Sequence, residues 1–353
     1  MKTRLLSEKE QAFFERLFHG FDQEQIEWML LRNYSEFPEK IGNDLDIFFP
    51  ASQVRHAMVV FAETLAEESG TVLHRHDREY FHAVWFRLEG PVHQALHVDF
   101  YHGAFTWHGL PFLDEKEALR EKARFRRYFV PRPAHEALSL AVIAPLWGGF
   151  FKERYRGRIK ELLADANEYE AFRKCLEQAF GVSFSPDEIP TSPEGQRDFG
   201  AGLRQRLRSG FLKNRPFRFA EKTFCHWWHE GMTLPFPPGV RIGIATAGKS
   251  DRALALARRL EARFGNLFGK THLLDRTTED GKRLLPVWVW MEKAKNHLVI
   301  EIGEARLLSA VTKPDLLLIL DERDGGGDDE SLEETAAGAE HSLLALLTQK
   351  LPS

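Results

Sequence analysis

The stretch "IGNDLDIFFP", residues 41–50, sets two aspartates two positions apart at the mouth of an apolar run. Pro38 and Gly42 upstream supply turn chemistry, and Pro50, which has no N–H to give a sheet ladder, stops the run. Between them the residues predict a strand. Side chains alternate faces along a strand, so Asp44 and Asp46 project together while Leu45 and Ile47 enter the core behind them. Two like charges this close repel, and a divalent cation between them relieves the repulsion. A plainer reading stands beside this one, because an aspartate ahead of a strand often serves only as a turn or cap residue.

Working outward, "HQALHVDFYHG" (93–103) has strand character and offers a third carboxylate. Asp99 shares its face with His97 and Tyr101, while Val98 and Phe100 point the other way. Between the two strands lie an amphipathic helix over 52–68, with Val54, Ala57, Phe61 and Leu65 on one side, and the strand-like "TVLHRHDREYFHAVWFRL" (71–88). Upstream, Phe13, Phe14, Leu17 and Phe18 recur at helical spacing, and "WMLLRNY" turns toward a strand. Residues 1–115 therefore predict a small mixed sheet with helices. Three aspartates on neighbouring strands would hold two metals. Hard oxygen ligands suit Mg²⁺, which completes its shell with water and substrate phosphate, and such a site serves in-line displacement on a nucleoside triphosphate. "HRHDREYFH" (74–82) offers an imidazole as general base, or simply histidines at a sheet edge.

From 116 to 233 the pattern becomes charge-rich and helical, with basic runs such as "EKARFRRYF" (121–129) and "FKERYRGRIKELL" (151–163). Lys152, Arg154 and Arg158 reach substrate phosphates if this region folds over the first sheet, and form a solvated face otherwise. "LPFPPGV" (234–240) reads as a linker. Beyond it, "VRIGIA", "NHLVIEI" and "PDLLLILD" are apolar runs without alternation, as strands of a parallel sheet covered on both faces require.

"GIATAGKS" (243–250) satisfies the phosphate-loop pattern and precedes a helix whose Ala253, Leu256, Leu260 and Phe264 form one apolar face. In that reading Gly243 and Gly248 shape a loop, backbone N–H groups wrap a phosphate, Lys249 reaches its oxygens and Ser250 holds Mg²⁺. Two registers compete. If Gly243 opens the loop the preceding strand is only Val240 to Ile242, and if the strand runs on through Ile244 too few amides remain to enclose a phosphate. A phosphate-loop kinase built on Lys249 and Ser250, and a non-catalytic nucleotide-binding scaffold, are the alternatives to the aspartate chemistry.

The chain of 353 residues is long enough for more than one domain, and 43% hydrophobic residues fill ordinary cores. A formal charge of -4 gives no global field for nucleic acid or an anionic membrane. Two cysteines, Cys175 and Cys225, make no disulfide framework. Cys225 and His229 in "CHWWHE" lie four apart, but with no second ligand cluster near them they read as part of an aromatic surface or core. No leader and no long apolar stretch are apparent, so the reading predicts a cytoplasmic protein without a membrane span.

The runs "LLRNYSEFPEKIGNDLDIFF" (30–49) and "LHVDFYHGAFTWHGLPFL" (96–113) resemble the amino-terminal part of bacterial nucleotidyltransferase-like proteins of the DNA polymerase beta superfamily, and "KPDLLLILD" (313–321) resembles a late buried strand of thymidylate kinase. The resemblance covers about residues 20–130 well and the rest loosely. It implies a nucleotidyltransferase-like domain over 1–115, a helical region over 116–233 and a degenerate, thymidylate-kinase-like phosphate-loop α/β domain over 234–353, a multidomain chain of α/β and α+β class. It also implies Asp44 and Asp46 as paired Mg²⁺ ligands, Asp99 as the third carboxylate, a nucleoside triphosphate such as ATP as substrate, and an acceptor in polysaccharide assembly. The superfamily's upstream Gly-Ser pair is replaced here by Arg32-Asn33, where Arg32 binds a triphosphate or makes a structural ion pair.

Overall fold

The computed structural model describes residues 4–32, 34–91, 94–103, 105–233, 239–246, 250–268, 270–275, 293, 297–303, 308, 314–320 and 329–349. They form a mixed α/β protein that includes parallel sheet. Two compact units emerge: residues 1–68, 78–82 and 98–230, and residues 69–77, 83–97 and 231–353.

The first unit begins with β1 (Arg4–Leu5) and α1 (Glu8–Gln23). Ser7 caps α1 with a reciprocal box: its hydroxyl accepts from the Glu10 N–H at 3.2 Å, and its own N–H donates to Glu10 Oε2 at 2.8 Å. Then come β2 (Met29–Leu30), β3 (Lys40–Ile41), β4 (Leu45–Phe49) and α2 (Val54–Glu67). β4 is antiparallel to β2 and parallel to β7 (Leu96–His102), with Asp46 beside Asp99 and Phe48 beside Tyr101 in register. All five β4 residues are buried because both faces are covered. Behind it, Phe49 packs edge-on against Phe21 of α1 and stacks on Phe100, which meets Phe61 of α2. In front, Phe48 stacks on Phe105 and joins Met29 and Leu31 in a second apolar cluster. β5 (Thr71–Arg78) and β6 (Phe81–Arg87) meet at a hairpin tip that belongs to this unit.

The unit continues through β8 (Phe105–Trp107), β9 (Leu110–Leu113), α3 (Glu115–Arg120), β10 (Ala123–Phe125) and β11 (Tyr128–Val130). The run "EKARFRRYF", expected to be helical, is thus mostly an antiparallel hairpin, turning at Arg126 with φ 53°. Its aromatic and apolar residues pair across the turn, Phe125 with Tyr128 and Ala123 with Val130, a local pattern that outweighs its charge density. Helices follow: α4 (Pro133–Leu146), α5 (Arg154–Leu162), α6 (Ala166–Phe180), α7 (Pro193–Asn214) and α8 (Pro216–Thr233). α4 starts on Pro133, is buried over most of its length, and contacts α5, α6 and α7. α6 ends on Gly181 at φ 64°, a left-handed cap that favours glycine.

The second unit contains β12 (Val240–Ala245), α9 (Asp251–Phe264), β13 (Lys270–Asp275), β14 (His297–Gly303), β15 (Leu316–Ile319) and α10 (Asp329–Gln349). Its sheet runs β13-β14-β12-β15 with every neighbouring pair parallel, as the unbroken apolar runs predict. Ala253, Leu256, Leu260 and Phe264 of α9 are buried as one face. The expected linker falls largely on 234–238, outside the described residues, while Val240 already belongs to β12. Among the described residues no helix is long and apolar enough to cross a membrane.

Candidate functional site

β4 and β7 are parallel and in register, so alternation brings Asp46 and Asp99 out on the same face. Asp44 sits just before β4, and one carboxylate oxygen from each of Asp44, Asp46 and Asp99 lies within 4.8 Å of the other two. Asp46 is 0% exposed and Asp99 6%. Burial pushes the Asp46 carboxyl up to about 6, and the charges of Asp44 and Asp99 push the same way.

Arg32 pairs with Asp46. Its Nε donates to one Asp46 oxygen and its Nη2 to the other at 3.0 Å, a bidentate pair across fourteen residues of chain. The Asp46 charge holds the guanidinium well above its usual range. Because Asp46 is fully covered and the Arg32 side chain is 31% exposed, Arg32 is the outward face of the pair.

Arg32 also lines two cavities. One, of about 320 Å³, is walled by Phe48, Tyr80, Phe81, Tyr101 and Trp147. The other, of about 470 Å³, carries Tyr34, Glu136, Arg154 and Arg158. Of the basic residues of "FKERYRGRIKELL" weighed as phosphate contacts, Arg154 and Arg158 on α5 line the cavity that Arg32 and Tyr34 also line. Lys152 instead lies over the Tyr155 ring, 5.6 Å from its centroid. Arg158 donates to Glu136 Oε1 at 3.1 Å and to the Tyr34 hydroxyl at 3.0 Å, and that hydroxyl donates to Glu136. Burial and then the Glu136 charge push the Tyr34 phenol up, and burial with the Asp99 charge does the same to Tyr101.

Two histidines of "HRHDREYFH" are engaged in ring contacts: His82 stacks on His102, and His74 is tilted against Trp85. His97 stacks on Trp85 at 4.0 Å. In "CHWWHE", Cys225 is exposed and the side chain of His229 lies outside the described residues. Its neighbour His226 is buried, 2.7 Å from His108 and 3.1 Å from Glu79.

For the glycine loop, the strand takes the longer of the two expected registers. Gly243 lies inside β12, paired with Glu301 of β14 on one side and Leu317 of β15 on the other, so it is a ladder residue and opens no loop. A Cβ there would meet Leu317 at 3.0 Å and Pro314 at 3.3 Å, which accounts for the glycine by packing. Two residues before it, Arg241 makes a buried ion pair with Glu301 and donates to the Leu308 carbonyl at 3.0 Å. Ser250 is the N-cap of α9, its hydroxyl accepting from the Ala253 N–H at 3.2 Å. Gly248 and Lys249 lie outside the described residues.

Sequence reasoning names the aspartates and Arg32 but misses Tyr34, Glu136 and the aromatic cavity wall. Their partners are distant in the chain, and no spacing announces them. Comparison with family models, curated proteins and solved structures returns no match.

Proposed function

We propose that this protein is a Mg²⁺-dependent nucleotidyltransferase of the DNA polymerase beta superfamily, moving a nucleoside monophosphate from a triphosphate, ATP foremost, to the hydroxyl of an acceptor such as a sugar. The observation that carries this reading is the convergence of Asp44, Asp46 and Asp99 within 4.8 Å beside two cavities that share Arg32. The donor set fits the ion: three hard carboxylates, with Asp46 raised by burial and further by the charges of Asp44 and Asp99, are those that would hold Mg²⁺. Bound there, the ion supplies charge neutralisation at phosphate and activation of the attacking hydroxyl.

The chain's own residues divide the remaining work. Arg154 and Arg158 make their cavity the seat for phosphate charge. A triphosphate entering it would offer Arg32 a second bidentate partner in place of Asp46, whose carboxylate is one of the three that would hold the ion. Tyr80, Phe81, Tyr101 and Trp147 give the other cavity flat aromatic surfaces, suited to stacking a nucleobase or a sugar face. The kinase alternative draws on the parallel sheet of the second unit, but Gly243 sits in the ladder and Ser250 is engaged as a cap.

Calorimetry with ATP and Mg²⁺ followed by product analysis tests the reading. Asp99→Asn is expected to weaken Mg²⁺-ATP binding at least about tenfold, as loss of one charged contact does, with Lys249→Ala unchanged and pyrophosphate as the released product. Release of ADP, with binding lost in Lys249→Ala instead, would assign the activity to the second unit.

A further inference from the structure

We propose that the helical layer of the first unit carries a second metal site, for Zn²⁺, formed by Glu117 of α3, His135 of α4 and Cys175 of α6. One ligand atom from each lies within 4.8 Å of the others, which brings together carboxylate, imidazole and thiol from three helices that the sequence places far apart. His135 is 1% exposed, yet its Nδ1 has no hydrogen-bond partner among the described residues. Buried polar atoms are rarely left in that state, and a cation among these ligands satisfies the ring.

The surroundings fit a metal better than a closed polar cluster. Glu121 is held by Arg132 at 2.6 Å and Glu168 accepts from Arg132 at 3.0 Å, so both neighbouring carboxylates have a cation already. Glu121 Oε2 lies 3.9 Å from His135 Nε2, beyond hydrogen-bond distance and outside the ligand set. Binding replaces the Cys175 thiol proton, which leaves to solvent, with a zinc–sulfur bond. Glu117 and Cys175 line a cavity of about 290 Å³, giving the ion an entry path and room for a water as fourth ligand.

Ligand chemistry separates this site from the aspartates. A set with sulfur and nitrogen takes borderline Zn²⁺, whereas three carboxylates take Mg²⁺ or Mn²⁺. The proposal therefore stands whether or not the aspartates catalyse nucleotidyl transfer.

The test uses the full chain in a Cys225→Ser background, because the exposed Cys225 offers added metal a second thiol. Chelator-stripped protein is titrated with Zn²⁺, and separately with Co²⁺ while the thiolate-to-cobalt charge-transfer absorption is followed. One zinc per chain is expected, with a thiolate–cobalt band. Both should survive Asp46→Asn, and both should be lost in Cys175→Ser and His135→Gln. Glu117→Gln, a change at a partly exposed position, should weaken zinc at least about tenfold and keeps the test decisive if the buried variants fail to fold. Zinc content unchanged by these substitutions, or no thiolate–cobalt band in the parent protein, overturns the proposal.

Discussion

Asp46 is where the demands of folding and of the site conflict. Its carboxyl is raised from the ordinary 3.8 to about 6, chiefly by burial. An acid raised in the folded state binds more protons folded than unfolded between those values, so its cost to stability is absent below about pH 4, grows through the window, and is full above pH 6. Asp46→Asn should therefore be more stable than wild type at pH 8 without divalent ions, by on the order of 3 kcal/mol, and no more stable below pH 4. Denaturant unfolding at the two pH values checks this, and an equal difference at both contradicts it. Arg32→Gln is expected to weaken ATP binding at least about tenfold while tightening Mn²⁺ binding in the absence of nucleotide; weakening of both would make Arg32 a merely structural partner. The aspartates are legible in the sequence because strand alternation is a local rule. Arg32 is legible as a cation, but its engagement with Asp46, like the Tyr34–Glu136 bond across 102 positions, depends on chain closure that no local pattern encodes.

At the scale of elements, β12 and α9 show how a motif and a fold diverge. The pattern in "GIATAGKS" is satisfied residue by residue, but β12 runs to Ala245 and takes the motif's first three residues into the ladder. Ser250→Ala should cost about 1 kcal/mol through loss of the α9 cap and leave Mg²⁺-ATP affinity unchanged, read by thermal unfolding and calorimetry on one preparation. A loss of nucleotide affinity there would return Ser250 to phosphate binding. The strands and α9 are legible because apolar periodicity and burial coincide, as in β4, α2 and the parallel sheet. The hairpin of β10 and β11 is not, because its basic residues imitate a solvated helix while the deciding contacts, Phe125 beside Tyr128 and Tyr128 against Phe18 and Phe37, form only in the folded unit.

For the molecule as a whole, the candidate site is assembled entirely within the first unit, from residues between Arg32 and Arg158. A net charge of -4 provides no long-range attraction for a triphosphate, so in the proposed function the attraction falls to local cations, of which Arg32, Arg154 and Arg158 line one cavity. Composition foretells that absence of a global field. It does not foretell that α4 and α5 carry Glu136, Arg154 and Arg158 to a cavity lined by Arg32. The most direct test is a crystal structure with Mn²⁺ and a non-hydrolysable ATP analogue. The account predicts anomalous manganese density among Asp44, Asp46 and Asp99, with Arg32 turned from Asp46 onto phosphate. Nucleotide bound instead at Lys249, or Arg32 still clasping Asp46 with no manganese beside it, would contradict the account.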